Sequence, residues 1–179
     1  MRLFIGLDLP DSIKDAVVKV QKQITGLDLY TGRPVPRENL HVTMLFLGNI
    51  AQEKLSQLSR TLSTISYNSF TLTLGSVEVP NWSKPHVLWI HTHCNELVQL
   101  SDLLPTTLSL KQERPTTGHC TIVRLKTIKN KRALQDALTH ITLEPLSWQV
   151  TRFVLYESST LAQGASYTSL NIFPLGKRA

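Results

Sequence analysis

The sequence predicts an α+β fold built on antiparallel sheets, and three observations carry that expectation. Stretches of helical period and stretches of strand character are interspersed along the chain. Several neighbouring strands have no helix between them, which disfavours a doubly wound parallel sheet. No low-complexity segment or long linker divides the 179 residues, so one domain over 1–179 is expected.

The opening Arg2-Leu3-Phe4-Ile5-Gly6-Leu7-Asp8 reads as a buried first strand, because its apolar stretch is too short for a signal peptide and meets a charge at once. Ile13, Ala16, Val17, Val20 and Ile24 recur at helical spacing behind Pro10, which predicts an amphipathic helix over about 11–24. Residues 26–37 carry two glycines and two prolines and read as an ordered surface loop. Leu40 to Gly48 is nearly all apolar and predicts a strand, after which Leu55, Leu58, Leu62 and Ile65 mark a second helix. Phe70, Leu72 and Leu74 alternate with Thr71 and Thr73, the period of a half-buried strand. A turn-rich break over 80–85 precedes Val87-Leu88-Trp89-Ile90, expected to be buried on both faces. Leu97, Leu100, Leu104 and Leu108 give a third helix, His119 to Lys126 a strand, and Leu134, Leu138 and Ile141 a fourth helix capped by Asn130. Two strands, about 147–157 and 167–173, joined by a loop around Gly164, close the chain.

Two of these strands share a pattern: His41-Val42-Thr43-Met44 and His119-Cys120-Thr121-Ile122. Residues i and i+2 of a strand face the same way. His41 and Thr43 therefore share a face, as do His119 and Thr121, while Val42, Met44, Phe46, Cys120 and Ile122 are expected to point into apolar layers. A single His-x-Thr is explained by chance or by a satisfied core histidine; two copies in apolar strands are better evidence of a cleft. Such a cleft has what phosphodiester hydrolysis needs: a neutral imidazole to take a proton from water, a protonated one to supply the leaving oxygen, and hydroxyls for the non-bridging oxygens. No metal or other cofactor is required. The net charge of +6 suits an anionic partner, with nucleic acid the leading candidate.

At these residues the sequence resembles the two-histidine (2H) phosphoesterase superfamily, specifically its RNA 2′,3′-cyclic phosphodiesterases, also called 2′-5′ RNA ligases. The likeness runs from Arg2–Pro10 through Val35–Gly48, Val87–Ile90 and His119–Arg124 to Ser158, Gly164, Tyr167, Leu170 and Phe173-Pro174-Leu175. It implies two pseudo-symmetric lobes, each an antiparallel sheet with flanking helices, around a central cleft. It implies hydrolysis of an RNA terminal 2′,3′-cyclic phosphate to a 2′-phosphomonoester, with reversible 2′-5′ ligation as related chemistry. By the same resemblance His41 is the proton donor, His119 the proton acceptor, and Thr43, Thr121 and Arg124 hold the phosphate. The alternatives are a phosphodiesterase acting on a small cyclic nucleotide or 2′-5′ oligonucleotide, and an RNA-binding module without catalysis.

Three departures from the family pattern stand out. Leu45 occupies a position where many relatives carry a cation. Gly118 replaces a proline and predicts a looser approach to His119. Strict alternation puts Arg124 on the face opposite His119, unless a bulge intervenes.

Other features read more plainly. Cys120 is expected to be a small buried thiol rather than a nucleophile. His91-Thr92-His93-Cys94 alternates at a strand end without a second ligand cluster, and His86 and His140 read as surface residues. Trp82, Tyr30 and Tyr156 are candidates to stack a base, and Trp89 and Trp148 read as core. Arg33, Arg37, Lys84, Lys111 and Arg114 are loop cations able to guide a phosphodiester backbone. No apolar run approaches the ~20 residues that span a bilayer. With only two cysteines, a reducing cytoplasm is expected, and the protein is expected to be a monomer.

Overall fold

Among the described residues every strand pairing is antiparallel, and the pairings chain into one curled sheet. The computed structural model describes residues 1–92, 94–110, 118–141, 146–161 and 164–176. Among these the strands are β1 (Arg2–Asp8), β2 (Tyr30–Pro34), β3 (His41–Asn49), β4 (Phe70–Glu78), β5 (Val87–Thr92), β6 (His119–Ile128), β7 (Leu146–Val150), β8 (Arg152–Leu161) and β9 (Gly164–Pro174). The helices are α1 (Asp11–Gly26), α2 (Leu55–Leu62), α3 (Asn95–Thr107) and α4 (Lys131–Thr139). Lys111 and Arg114 lie outside the described residues, as does His93 of the His-x-His segment.

The strand order is β7-β4-β5-β6-β3-β1-β8-β9. Its two halves mirror each other about the β6–β3 seam, so the two expected lobes meet in a continuous hydrogen-bonded sheet. The seam itself is short: Val42 pairs with Cys120 and Thr43 with His119. Beyond it, the same edge of β6 is taken up by β2.

Local sequence explains most elements. α1 follows Pro10 and buries Ile13, Val17, Val20, Gln21 and Ile24 along one stripe. On β4, Phe70, Leu72 and Leu74 are buried while Thr71 and Thr73 are exposed. The Asn130 side chain accepts from Ala133 N at 3.0 Å and caps α4. Leu3, Ile5 and Leu7 of β1 pack with Val42, Met44, Cys120 and Ile122 in the core behind the sheet.

Two expectations about elements need correction. The loop over 26–37 contains β2, whose Tyr30 is buried and hydrogen-bonded to Thr25, at 3.0 Å between hydroxyls. Tyr30 is therefore not available to stack a base. The single strand expected over 147–157 is broken at Thr151: β7 pairs with β4 at one end of the sheet, and β8 pairs with β1 in the other half. Alternating side chains cannot reveal that a chain has changed partners.

Candidate active site

The seam brings the two His-x-Thr strands side by side. His41, Thr43, His119 and Thr121 line one open cleft of about 400 Å³, together with Phe4, Phe46, Trp89, Arg124 and Tyr167. Behind them Val42, Met44, Cys120 and Ile122 are fully buried, as alternation requires. Burial pushes the Cys120 thiol up to about 12, so it is an inert core group.

A bulge interrupts each motif strand. Gly6 pairs with Thr43 and Ile5 with Leu45, leaving Met44 as the extra residue of β3. Trp89 pairs with Thr121 and Leu88 with Val123, leaving Ile122 as the extra residue of β6. Each bulge inverts the facing of the residues beyond it on its strand. On β6 it turns Arg124 into the cleft, which removes the objection raised by strict alternation. On β3 it overturns the expectation for Phe46, which lies 65% exposed and lines the cleft rather than the core. Leu45 packs against the core instead, so a cation there would not have faced the cleft.

The bulge on β6 frees the Ile122 carbonyl, and a buried side chain takes it up. Gln21 of α1 donates from Nε2 to Ile122 O at 2.7 Å and to Val35 O at 2.8 Å. Val35 N donates to the same Ile122 carbonyl at 2.8 Å. The bulge is thus part of the hydrogen-bond plan.

The His41 ring is held at both nitrogens. Nδ1 lies 2.7 Å from the Asn39 carbonyl and must carry the hydrogen there, since a carbonyl only accepts. Nε2 then faces Thr43 Oγ1 at 3.1 Å. The Asn39 side chain donates to Ala165 O at 2.8 Å, tying the segment before β3 to the start of β9. Burial is the main force on the His41 imidazole and lowers its pKa to about 4. The Asn39 carbonyl raises it, the charges of His119 and Arg124 lower it further, and Asp8 acts against them.

Aromatic rings frame both imidazoles. Phe4 lies 4.8 Å from the His41 ring between centroids, and Tyr167 meets it edge-on at 5.1 Å. Trp89 lies 4.2 Å from His119. The expectation that Trp89 is core needs correction: it is half-buried and lines the cleft, because the residue opposite Thr121 must share its face. Its Nε1 is buried and, among the described residues, has no hydrogen-bond partner. Trp148 packs on the core as expected. Sequence reasoning does not find Phe4, Phe46, Trp89 and Tyr167 as site residues, since an apolar strand gives no sign of which aromatic faces a cavity. Tyr167 also accepts from Arg124 Nη2 at 3.5 Å.

The remaining candidates are scattered. Tyr156 stacks on Phe4 at 5.0 Å with its ring 6.0 Å from that of His41, and Trp82 sits under Lys131 in the connection between β4 and β5. Arg37 is committed to Asp15 at 2.7 Å and Asp11 at 2.9 Å, which hold it against α1. Lys84, His86 and His140 are exposed. Gly118 is buried, and its carbonyl accepts from Thr92 Oγ1 at 2.9 Å and Thr92 N at 3.1 Å, so the approach to His119 is tight rather than loose. Among the described residues no cluster of three His, Cys, Asp or Glu side chains is placed to hold a metal.

A curled antiparallel sheet with paired His-x-Thr strands on its seam defines a two-histidine phosphoesterase. The sequence profile of the family described as LigT like Phosphoesterase matches residues 7–89. The RNA 2′,3′-cyclic phosphodiesterase of Methanocaldococcus jannaschii is 32% identical, over 93% of this chain and 96% of its own. That of Escherichia coli is 31% identical over 97% and 96%. The crystal structure of E. coli LigT complexed with 3′-AMP superposes with a TM-score of 0.74 at 30% identity, covering 98% of both chains. The chain belongs to the LigT-like phosphoesterase family.

Proposed function

We propose that this protein hydrolyses the 2′,3′-cyclic phosphate at an RNA end to a 2′-phosphomonoester, using its two histidines and no metal. The carrying observation is the β3–β6 seam, where Thr43 opposes His119 and both motifs line one cleft with Arg124. The names of the M. jannaschii and E. coli relatives, and the 3′-AMP complex of E. coli LigT, support a nucleotide phosphate as occupant.

On this reading His119 takes a proton from water as its oxygen attacks phosphorus. The bond from phosphorus to the 3′ oxygen breaks, and His41 Nε2 delivers a proton to that oxygen. Thr43, Thr121 and Arg124 donate to the non-bridging oxygens. The His41 tautomer supports the donor role, because Asn39 holds the Nδ1 hydrogen and leaves Nε2 toward the cleft. Burial lowers the His41 pKa to about 4, which keeps the imidazole neutral near pH 7. The phosphate anion favours the charged imidazole, so substrate binding itself loads the acid. The roles of His41 as acid and His119 as base are carried over from the resemblance to cyclic phosphodiesterases.

The cleft is built within one chain, and Cys94 and Cys120 are both free thiols, which fits a monomer working in a reducing cytoplasm. No helix among the described residues is long and apolar enough to cross a membrane.

The test is turnover of an oligonucleotide ending in a 2′,3′-cyclic phosphate, with EDTA present, and product analysis afterwards. His41→Ala and His119→Ala should each lower kcat by orders of magnitude, and the product should be the 2′-phosphate. Activity surviving both single changes would overturn the mechanism, and a 3′-phosphate product would overturn the leaving-group assignment.

A further inference from the structure

Beside this cleft lies a second cavity of about 640 Å³, formed by β2, the outer part of β6 and the start of β9 at Gly164 and Ala165. Its volume falls in the roughly 300–1,000 Å³ range of ligand pockets. It shares Val35, Arg124, Ala165 and Tyr167 with the cleft, so the two adjoin.

The charge here is one-sided. Arg33, Arg124 and Lys126 line the cavity, and no carboxylate is among its described lining residues. Arg33 of β2 stands directly opposite Arg124 of β6. Like charges in that arrangement destabilise a ladder. Among the described residues none of the three cations forms an ion pair, whereas Arg37, Lys14 and Lys129 all do. An anion held between them would remove the repulsion and gain charge-assisted hydrogen bonds. Pro34, Val35 and Pro36 add a rigid apolar wall suited to a ribose or base.

Resting on the reading that the cleft takes an RNA cyclic end, we propose that this cavity binds the nucleotide immediately 5′ of that end. Arg33 and Lys126 hold the phosphodiester that joins it to the terminal nucleotide. Arg124 lines both cavities and stands between that diester and the reacting phosphate. A mononucleotide leaves the second cavity empty; an RNA end fills it. The enzyme is therefore selective for RNA ends over free cyclic nucleotides.

The experiment compares kcat/KM for a 2′,3′-cyclic mononucleotide and a dinucleotide with the same cyclic end, in the wild type and in Arg33→Gln/Lys126→Gln. The wild type should prefer the dinucleotide. The double variant should lose roughly tenfold or more on the dinucleotide, mainly through KM, as charge-assisted contacts are removed. Its mononucleotide turnover should stay unchanged, which also shows that the variant is folded. Equal losses on both substrates, or no loss on the dinucleotide, would overturn the proposal. Wild type inactive on both substrates would mean that the hydrolysis reading has failed. The subsite is then read by anisotropy of a fluorescently labelled dinucleotide 2′-phosphate, whose affinity should fall in the double variant and whose unchanged affinity would overturn it.

Discussion

Thr43 of β3 stands directly opposite His119 of β6, and its hydroxyl also lies 3.1 Å from His41 Nε2. One buried threonine therefore adjoins both imidazoles at the seam. If its hydroxyl steadies charge on the phosphate, Thr43→Val should lower kcat by roughly 10²-fold, the usual effect of removing one such donor. Valine suits a strand at this position, so the thermal midpoint should move little. Thr43→Ser should keep most activity. Steady-state kinetics beside thermal melts check this; a Thr43→Val enzyme within threefold of wild type would remove Thr43 from the mechanism.

His41 gives a prediction about stability and pH. Its pKa falls from 6.5 to about 4 in the folded protein, chiefly through burial. Between these values the unfolded chain binds the proton more readily, so unfolding free energy rises with pH across that window. The contribution is fully present above pH 6.5 and is lost as pH falls toward 4. Urea titrations of wild type and His41→Asn should show the wild-type slope in this window flattened in the variant. A phosphate-ended nucleotide should act in the opposite sense by raising the His41 pKa. NMR titration of the His41 ring with and without a 2′-nucleotide measures that shift directly, and no upward movement would contradict the acid role.

Gly118 precedes His119 where the chain passes between β5 and α3. A Cβ on this residue would meet the Leu97 side chain and would lie 2.5 Å from Thr92 Oγ1. Leu97 is buried and Thr92 already donates to the Gly118 carbonyl, so neither can give way freely. Gly118→Ala should destabilise the protein by about 1–3 kcal/mol, as overpacking does. Chemical denaturation would measure this, and an unchanged midpoint would show that α3 can shift.

Much of this site was legible because strand alternation is a strong local rule. It put His41, Thr43, His119 and Thr121 on one face and their neighbours in the core. Alternation failed at Phe46 and Arg124, where it meets bulges at Met44 and Ile122. A bulge depends on a partner strand and on distant hydrogen-bond donors, neither of which is local. The same limit hid β2, a short strand in a stretch rich in glycine and proline that exists only because β6 has an edge to offer. It also hid the break at Thr151, where the chain changes partners without a change of pattern.

Gln21 is the distant donor for the bulge on β6. It lies on the apolar stripe of α1, buried beside Val17, Val20 and Ile24, yet both of its contacts are to backbone carbonyls of other elements. Without those bonds, among the described residues, the Val35 carbonyl is left unpaired and the Ile122 carbonyl keeps only Val35 N. Gln21→Met, of similar length but with no donor, should therefore cost about 1–3 kcal/mol of stability. A second effect is expected, because the bulge is what turns Arg124 into the cleft. Gln21→Met should raise KM for the cyclic substrate in a background with Arg124, and should add little once Arg124→Ala is already present. A double-mutant cycle on kcat/KM separates this from simple destabilisation. If both backgrounds lose activity equally, Gln21 holds the fold without positioning the arginine.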